Sequence, residues 1–250
     1  LVPEKEYRFV LVLRGEGLSG DVTDTDPQTV GKTALLAQAS SPAGEHTAAL
    51  IRDFVEQANQ ALKDQHPANS FVLRGFAAMP KWPSFNTVWG VDAVAIAMYP
   101  MYRGVAKVVG MTVMPPAESM EHEISMLEEQ WNNHDFFFVH IKKTDSYGED
   151  GNFDAKVHII EEVDALLPRI MSLDPDVVII TGDHSTPAKL KSHSAHPVPV
   201  LLYGKNARPD LIAEFGERAC ARGSLGPRFF AIDLMPMALS LAGRLEKFGA

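Results

Sequence analysis

The sequence predicts an α/β fold, with a mainly parallel sheet flanked by helices and part of a smaller α+β domain ahead of it. Three observations predict this. Runs of consecutive apolar residues recur at 91–100, 135–142, 176–183 and 198–204. Segments with helical apolar spacing separate most of them. The pattern changes at 79–85, "MPKWPSF", where two prolines mark a boundary or hinge. Strands covered on both faces read as continuous apolar runs, and their alternation with helices indicates a parallel sheet between helical layers.

Each element follows from its local pattern. Residues 6–14, "EYRFVLVLR", read as a strand. Residues 15–44 are rich in turn formers. Residues 45–64 place Leu50, Phe54, Ala58 and Leu62 at helical spacing, predicting an amphipathic helix. "SFVLRGFAA" (70–78) reads as a short strand. Beyond the prolines, 91–100 is a buried strand, 101–111 and 118–132 are helices, and 135–142 is a second buried strand. A long helix is expected over 152–173, buried strands over 176–183 and 198–204, and a last helix near the C-terminus.

Composition narrows the function classes. The 250 residues are 46% hydrophobic and 22% charged, ordinary for a globular chain. No apolar run approaches the roughly 18–20 residues of a membrane span. A net charge of −9 argues against nucleic acid as a partner. The single cysteine, Cys220, excludes an internal disulfide and suits a reducing, cytoplasmic setting. No repeat or low-complexity segment is present.

In open α/β folds sites form in the loops beyond the carboxyl ends of the strands. Two such loops carry chemistry. The one after Lys142 holds Asp145, Glu149 and Asp150; it can be read as an acidic helix N-terminus or as a source of metal ligands. The one after Ile180 holds Asp183, His184, His193 and His196, either as solvated loop residues or as ligands. Taken together, Asp145, Glu149, Asp183, His184 and His193 are enough for most of a two-metal cluster suited to phosphoryl transfer. Arg14, Arg74, Arg103 and Lys142 lie near the ends of apolar segments, as surface charge or as anion binders. His140, alternating with apolar neighbours, is expected in the core or behind the ligands. "VGKT" (30–33) ends like a phosphate-binding loop, but the glycine required five residues before Gly31 is Asp26. "GEGLSG" (15–20) lacks the dinucleotide spacing, and Cys220 has no partnering histidine.

The runs "DFFFVHIKKTDSYGEDGNFDAKVHIIEEVD" and "TGDHSTPAKLKSHSAHPVPVLLYG", with "FVLRGFAAMP", "MYRGVAKVVGM", "DVTDTDP" and "LEKFGA", resemble the archaeal-type 2,3-bisphosphoglycerate-independent phosphoglycerate mutases of the alkaline phosphatase superfamily. The chain looks like the C-terminal three-fifths of that family. The resemblance implies an alkaline-phosphatase-like core over 79–250 and, over 1–78, the later part of an inserted domain that covers the substrate. It implies two divalent ions, manganese or zinc with magnesium as a further option, and interconversion of 3-phosphoglycerate and 2-phosphoglycerate through a phosphoserine. Asp145, Glu149 and His193 fall on one metal site, and Asp183 and His184 on the other. Arg74 and Arg103 fall on substrate-binding positions. The phosphate-accepting serine is expected upstream of Leu1, since no serine of this chain stands in the matching context. The partners implied are a phosphoglycerate and, at most, further copies of the chain; neither nucleic acid nor membrane is expected.

The sequence departs from the family pattern in three places. Glu149 stands where the motif D-x-x-x-H-D-G has histidine, Arg103 where lysine is usual, and His196 where aspartate commonly precedes Pro-Val-Pro. A phosphohydrolase or phosphonate-processing relative, and a degenerate non-catalytic homologue, therefore stay open beside the mutase.

Overall fold

A computed structural model describes residues 1–4 and 8–248. The chain divides into two compact units, Leu1–Lys81 and Trp82–Ala250.

In the first unit, β1 (Val2–Pro3) pairs antiparallel with β2 (Phe9–Val10). Part of the strand expected over 6–14 lies outside the described residues. Helix α1 (Glu45–Leu62) forms as the spacing predicts, with Phe54, Ala58 and Leu62 part-buried on the expected face. Its buried positions are Thr47, Ala48 and Ile51, while Leu50 is exposed. The core it covers is Val22, Ala37 and Leu73, extended by Phe9, Phe54 and Phe71. Phe71 packs edge-on to Phe9 and tilted against Phe54, so the aromatic cluster sets the buried face.

The strand expected over 70–78 does not form. Bonds from the 24–25 segment meet part of its backbone instead, Gly75 N–H donating to Asp24 Oδ1 at 2.8 Å. Leu73 N–H donates to Thr25 Oγ1 at 2.7 Å, and Thr25 N–H donates to the Leu73 carbonyl at 2.8 Å. Both residues are buried, so these bonds satisfy the groups that a ladder would otherwise pair.

The second unit begins with α2 (Phe85–Trp89), capped by Ser84 and closed by Gly90 at φ 68°, a conformation glycine adopts without a Cβ clash. Strand β3 (Ala93–Ala97) follows and is buried throughout. Pro100 then opens α3 (Pro100–Val108), where a missing N–H and a fixed φ suit a first helical turn. Strand β4 (Thr112–Val113) and helix α4 (Met120–Gln130) come next, α4 capped by Ser119. Strand β5 (Phe136–His140) leads into α5 (Lys143–Asp150) and α6 (Phe153–Met171). Strands β6 (Val177–Ile180) and β7 (Leu201–Gly204), a short α7 (Glu217–Cys220) and α8 (Leu234–Leu241) complete the unit.

β3 is the centre of a parallel sheet of order β4-β3-β5. Ile96, Met126 and Leu127 form the core between this sheet and α4, with Trp131 stacked on Phe137 at 5.1 Å. Arg169 of α6 ties back to α4 through two bonds to the Glu128 carboxylate, at 2.9 and 2.6 Å. Among the described residues no helix is long and apolar enough to cross a membrane.

Two expectations need correction here. β6 and β7 form a separate antiparallel pair and do not extend the parallel sheet. In addition, β5, β6 and most of β7 are half-buried and not fully buried. The cause is lateral: β5 pairs only with β3, and β6 only with β7, so each has one edge without a neighbouring strand among the described residues.

Candidate metal centre

The loop expected after Lys142 is helix α5, preceded by Lys142 at its N-cap. It has no apolar stripe, which is why periodicity does not reveal it. The helix puts Asp145 in the first turn and Glu149 four residues on, so both carboxylates share one face. Gly151, at φ 74°, ends it. Gly148 lies against the Thr186 carbonyl, and an added Cβ would collide with that oxygen. Helix α5 can therefore approach the second loop only because position 148 lacks a side chain.

The second loop leaves β6 at Ile180. A bridge between Ser185 and Ser194, with Ser194 N–H donating to the Ser185 carbonyl at 2.9 Å, folds it back on itself. That fold returns His193 to His184, with ring centroids 3.9 Å apart. His196 turns away and pairs with the Ser194 hydroxyl at 2.8 Å.

Each of the five expected ligands lies within 3.8 Å of at least one other. Asp145 Oδ1 lies 3.8 Å from His184 Nδ1 and 3.7 Å from His193 Nε2. Glu149 Oε1 is 3.7 Å from His193 Nε2. Asp183, the fifth, has its Oδ2 3.6 Å from His184 Nε2. Asp145, His184 and His193 each offer a ligand atom within 4.8 Å of the others. His184 therefore sits with Asp145 and His193 as well as with Asp183.

The surroundings hold these groups charged and oriented. Burial opposes ionisation of Asp145, but the Lys142 ammonium and the Thr186 hydroxyl both bond it and outweigh burial, keeping its carboxyl below the usual range. Burial likewise opposes ionisation of Asp183, and the Tyr102 phenol and neighbouring His184 outweigh it. The Tyr102 phenol is in turn pushed well up, by its burial and by its bond to Asp183.

Thr186 also fixes a tautomer. Its proton goes to the acceptor-only Asp145 carboxylate, and its oxygen lies 3.1 Å from His184 Nδ1. In the neutral imidazole that a metal ligand requires, Nδ1–H donates to Thr186 and Nε2 keeps its lone pair. Thr186 is 3% exposed, and its carbonyl accepts from Lys156 Nζ at 2.8 Å.

This donor set fits a divalent cation. Three carboxylates and two imidazoles are the ligand types of zinc and manganese. Lys142 forms an ion pair with Asp145.

The remaining expected residues lie elsewhere. Arg103, on α3, donates to the Met114 carbonyl at 3.2 Å, and its Nε is buried without a partner. It lines an open cavity with Lys107, Met111 and Val113. Arg74 belongs to the first unit, where it is mostly exposed, 3.8 Å from Asp26. Sequence reasoning missed Tyr102 and Thr186. Thr186 lies inside the "DHSTP" run and Tyr102 beside Arg103 in "MYRGVAKVVGM", so both stood next to named candidates.

Comparison with known proteins places the chain in a family. Residues 21–239 match the Metalloenzyme superfamily. The chain belongs to that superfamily. It is 50% identical over 248 residues to a probable 2,3-bisphosphoglycerate-independent phosphoglycerate mutase of a Thermotoga species, covering 99% of this chain and 62% of the relative. It is 48% identical over 250 residues to a protein of the same description from Thermus thermophilus, covering 99% and 61%. Among solved structures, the cofactor-independent phosphoglycerate mutase of Thermoplasma acidophilum superposes with a TM-score of 0.67 at 26% identity, over 92% of this chain and 61% of that one. A protein of Pyrococcus horikoshii superposes with a TM-score of 0.76 at 31% identity, over 84% and 60%. The chain thus spans about three-fifths of the length of the curated relatives it matches.

Proposed function

We propose that this chain carries the metal-binding core of a 2,3-bisphosphoglycerate-independent phosphoglycerate mutase, which interconverts 3-phosphoglycerate and 2-phosphoglycerate. The observation that carries the reading is the convergence of Asp145, His184 and His193 from two strand ends, with Glu149 and Asp183 beside them. The names of the relatives support the substrate class.

In this reading residues 79–250 form the core and 1–78 belong to the domain that covers the substrate. Asp145, Glu149 and His193 hold one divalent ion, and Asp183 and His184 hold the other. Manganese and zinc suit this mix of oxygen and nitrogen donors, and magnesium would favour the carboxylates. Such ions, when bound, neutralise phosphoryl charge and activate a hydroxyl nucleophile. Arg103 and Arg74 supply guanidinium groups for the phosphate and carboxylate of the substrate. The phosphoryl acceptor is not assigned to any residue of this chain. A reducing cytoplasmic setting suits the free Cys220.

The test follows 3-phosphoglycerate by ³¹P NMR, using Mn²⁺-loaded protein expressed from its complete gene. Appearance of 2-phosphoglycerate, abolished by Asp183→Ala, is the expected result. Release of inorganic phosphate without 2-phosphoglycerate would replace the mutase by a phosphohydrolase. No turnover together with no Mn²⁺ binding would make the protein a non-catalytic homologue.

A further inference from the structure

The geometry points to Tyr102 as a positioning residue for Asp183, setting the orientation of a ligand on the less supported side of the metal centre. This rests on the proposed metal-binding role of Asp183.

Tyr102 stands in the first turn of α3, directly after β3. Its ring stacks on the imidazole of His140, the last residue of β5, with centroids 3.6 Å apart and planes 24° apart. Its hydroxyl donates to Asp183 Oδ2, beyond the end of β6. One side chain therefore touches β5 and the loop after β6, which belong to two sheets with no ladder between them among the described residues.

The two aspartates of the centre are held differently. Asp145 sits on helix α5 and has two orienting donors, Lys142 and Thr186. Asp183 sits in an irregular loop and its side chain is half exposed. Among the described residues its Oδ1 accepts from local backbone alone, with the N–H of His184 at 3.1 Å. For Oδ2 the donor is Tyr102. A carboxylate held by a neighbouring main-chain amide alone keeps rotational freedom about its side chain. The phenol removes that freedom from the far side, anchored by a ring that is itself clamped on His140. Partners of this kind that orient metal ligands typically matter by about 10–100-fold in metal affinity. The bond calls for tyrosine and not phenylalanine at 102, since phenylalanine would keep the stack and lose the donor.

The experiment is a Mn²⁺ titration by isothermal calorimetry of four proteins: wild type, Tyr102→Phe, Asp183→Asn and the double variant. The phenylalanine ring preserves the contact with His140, and near-UV circular dichroism checks that the fold is intact. Tyr102→Phe is expected to weaken one of two Mn²⁺ sites at least about tenfold and leave the other within about twofold. In the Asp183→Asn background the same substitution is expected to change nothing further, because Tyr102 acts through that carboxylate. A purely structural role for Tyr102 would lower affinity equally in both backgrounds, and this would overturn the inference. So would a Tyr102→Phe isotherm identical to a wild type that binds two ions. A wild type that binds no Mn²⁺ would overturn the metal reading itself, and this inference with it.

Discussion

The two sheets of the second unit face the same task under different conditions. In the parallel sheet, β3 is flanked by strands on both edges, and Val94, Ala95 and Ile96 are fully buried. In the antiparallel pair, β6 and β7 are half-exposed, and Tyr203 is 41% exposed. Each sheet delivers one half of the candidate centre. The parallel sheet presents Asp145 and Glu149 on a helix immediately after β5. The antiparallel pair presents Asp183, His184 and His193 on a loop held by a few side-chain bonds. The first pair of candidate ligands rides on a helix, and the second set on an irregular loop.

Core truncations are the strongest way to break this comparison. Ile96→Ala should destabilise the second unit by about 2–5 kcal/mol, the range for deleting a buried aliphatic side chain in a core that cannot collapse. Val178→Ala in β6 should fall well below that, at about 1 kcal/mol, since its neighbours already meet solvent. Urea denaturation followed by tryptophan fluorescence measures both. Equal losses would mean that the antiparallel pair is as well supported as the parallel sheet.

A pH-dependent prediction comes from the same buried layer. Glu123 of α4 is fully buried, and among the described residues neither carboxylate oxygen has a hydrogen-bond partner of normal geometry. Burial pushes its carboxyl up to about 7, and the nearby Met98 amide does not offset this. Between the ordinary 4.5 and about 7 the folded state holds a proton that the unfolded state has released. Stability therefore falls as pH rises through this window and levels off above it. Glu123→Gln removes the titration. The variant should match wild type near pH 4.5 and be more stable by roughly 2–3 kcal/mol at about pH 8, judged from the size of the shift. Thermal unfolding at the two pH values checks it. A constant difference across the range would show that Glu123 does not titrate with folding.

The parts of this molecule legible in its sequence were those written in local pattern. The apolar runs located β3, β5, β6 and β7, because continuous hydrophobicity over four or five residues is a local property. What runs could not convey was pairing, so the antiparallel partner of β6 was missed. The strand expected at 70–78 failed because Thr25, nearly fifty residues away, meets part of its backbone. Helix α5 went unseen because "KTDSYGED" is polar on every face and is held by its contacts and its glycine stop. The five ligand candidates were found through residue type and strand-end position. Tyr102 was missed although it stands beside Arg103 in "MYRGVAKVVGM", because its contacts run to 140 and 183 and local pattern does not convey them.

The smallest expected effect concerns Thr186, the polar link between the two halves. Its hydroxyl bonds Asp145 from one side and His184 Nδ1 from the other, so one group serves a ligand candidate from each sheet. Thr186→Val keeps the shape and removes the hydroxyl. Asp145 then retains Lys142, while His184 loses the acceptor that fixes its tautomer. Mn²⁺ affinity should fall about tenfold, the low end for loss of an orienting partner. Fluorescence-monitored titration of the variant against wild type measures this directly. Unchanged affinity would mean that the backbone bridge between Ser185 and Ser194 already sets the loop, and that the loop-borne half of the centre is as rigid as the helix-borne half.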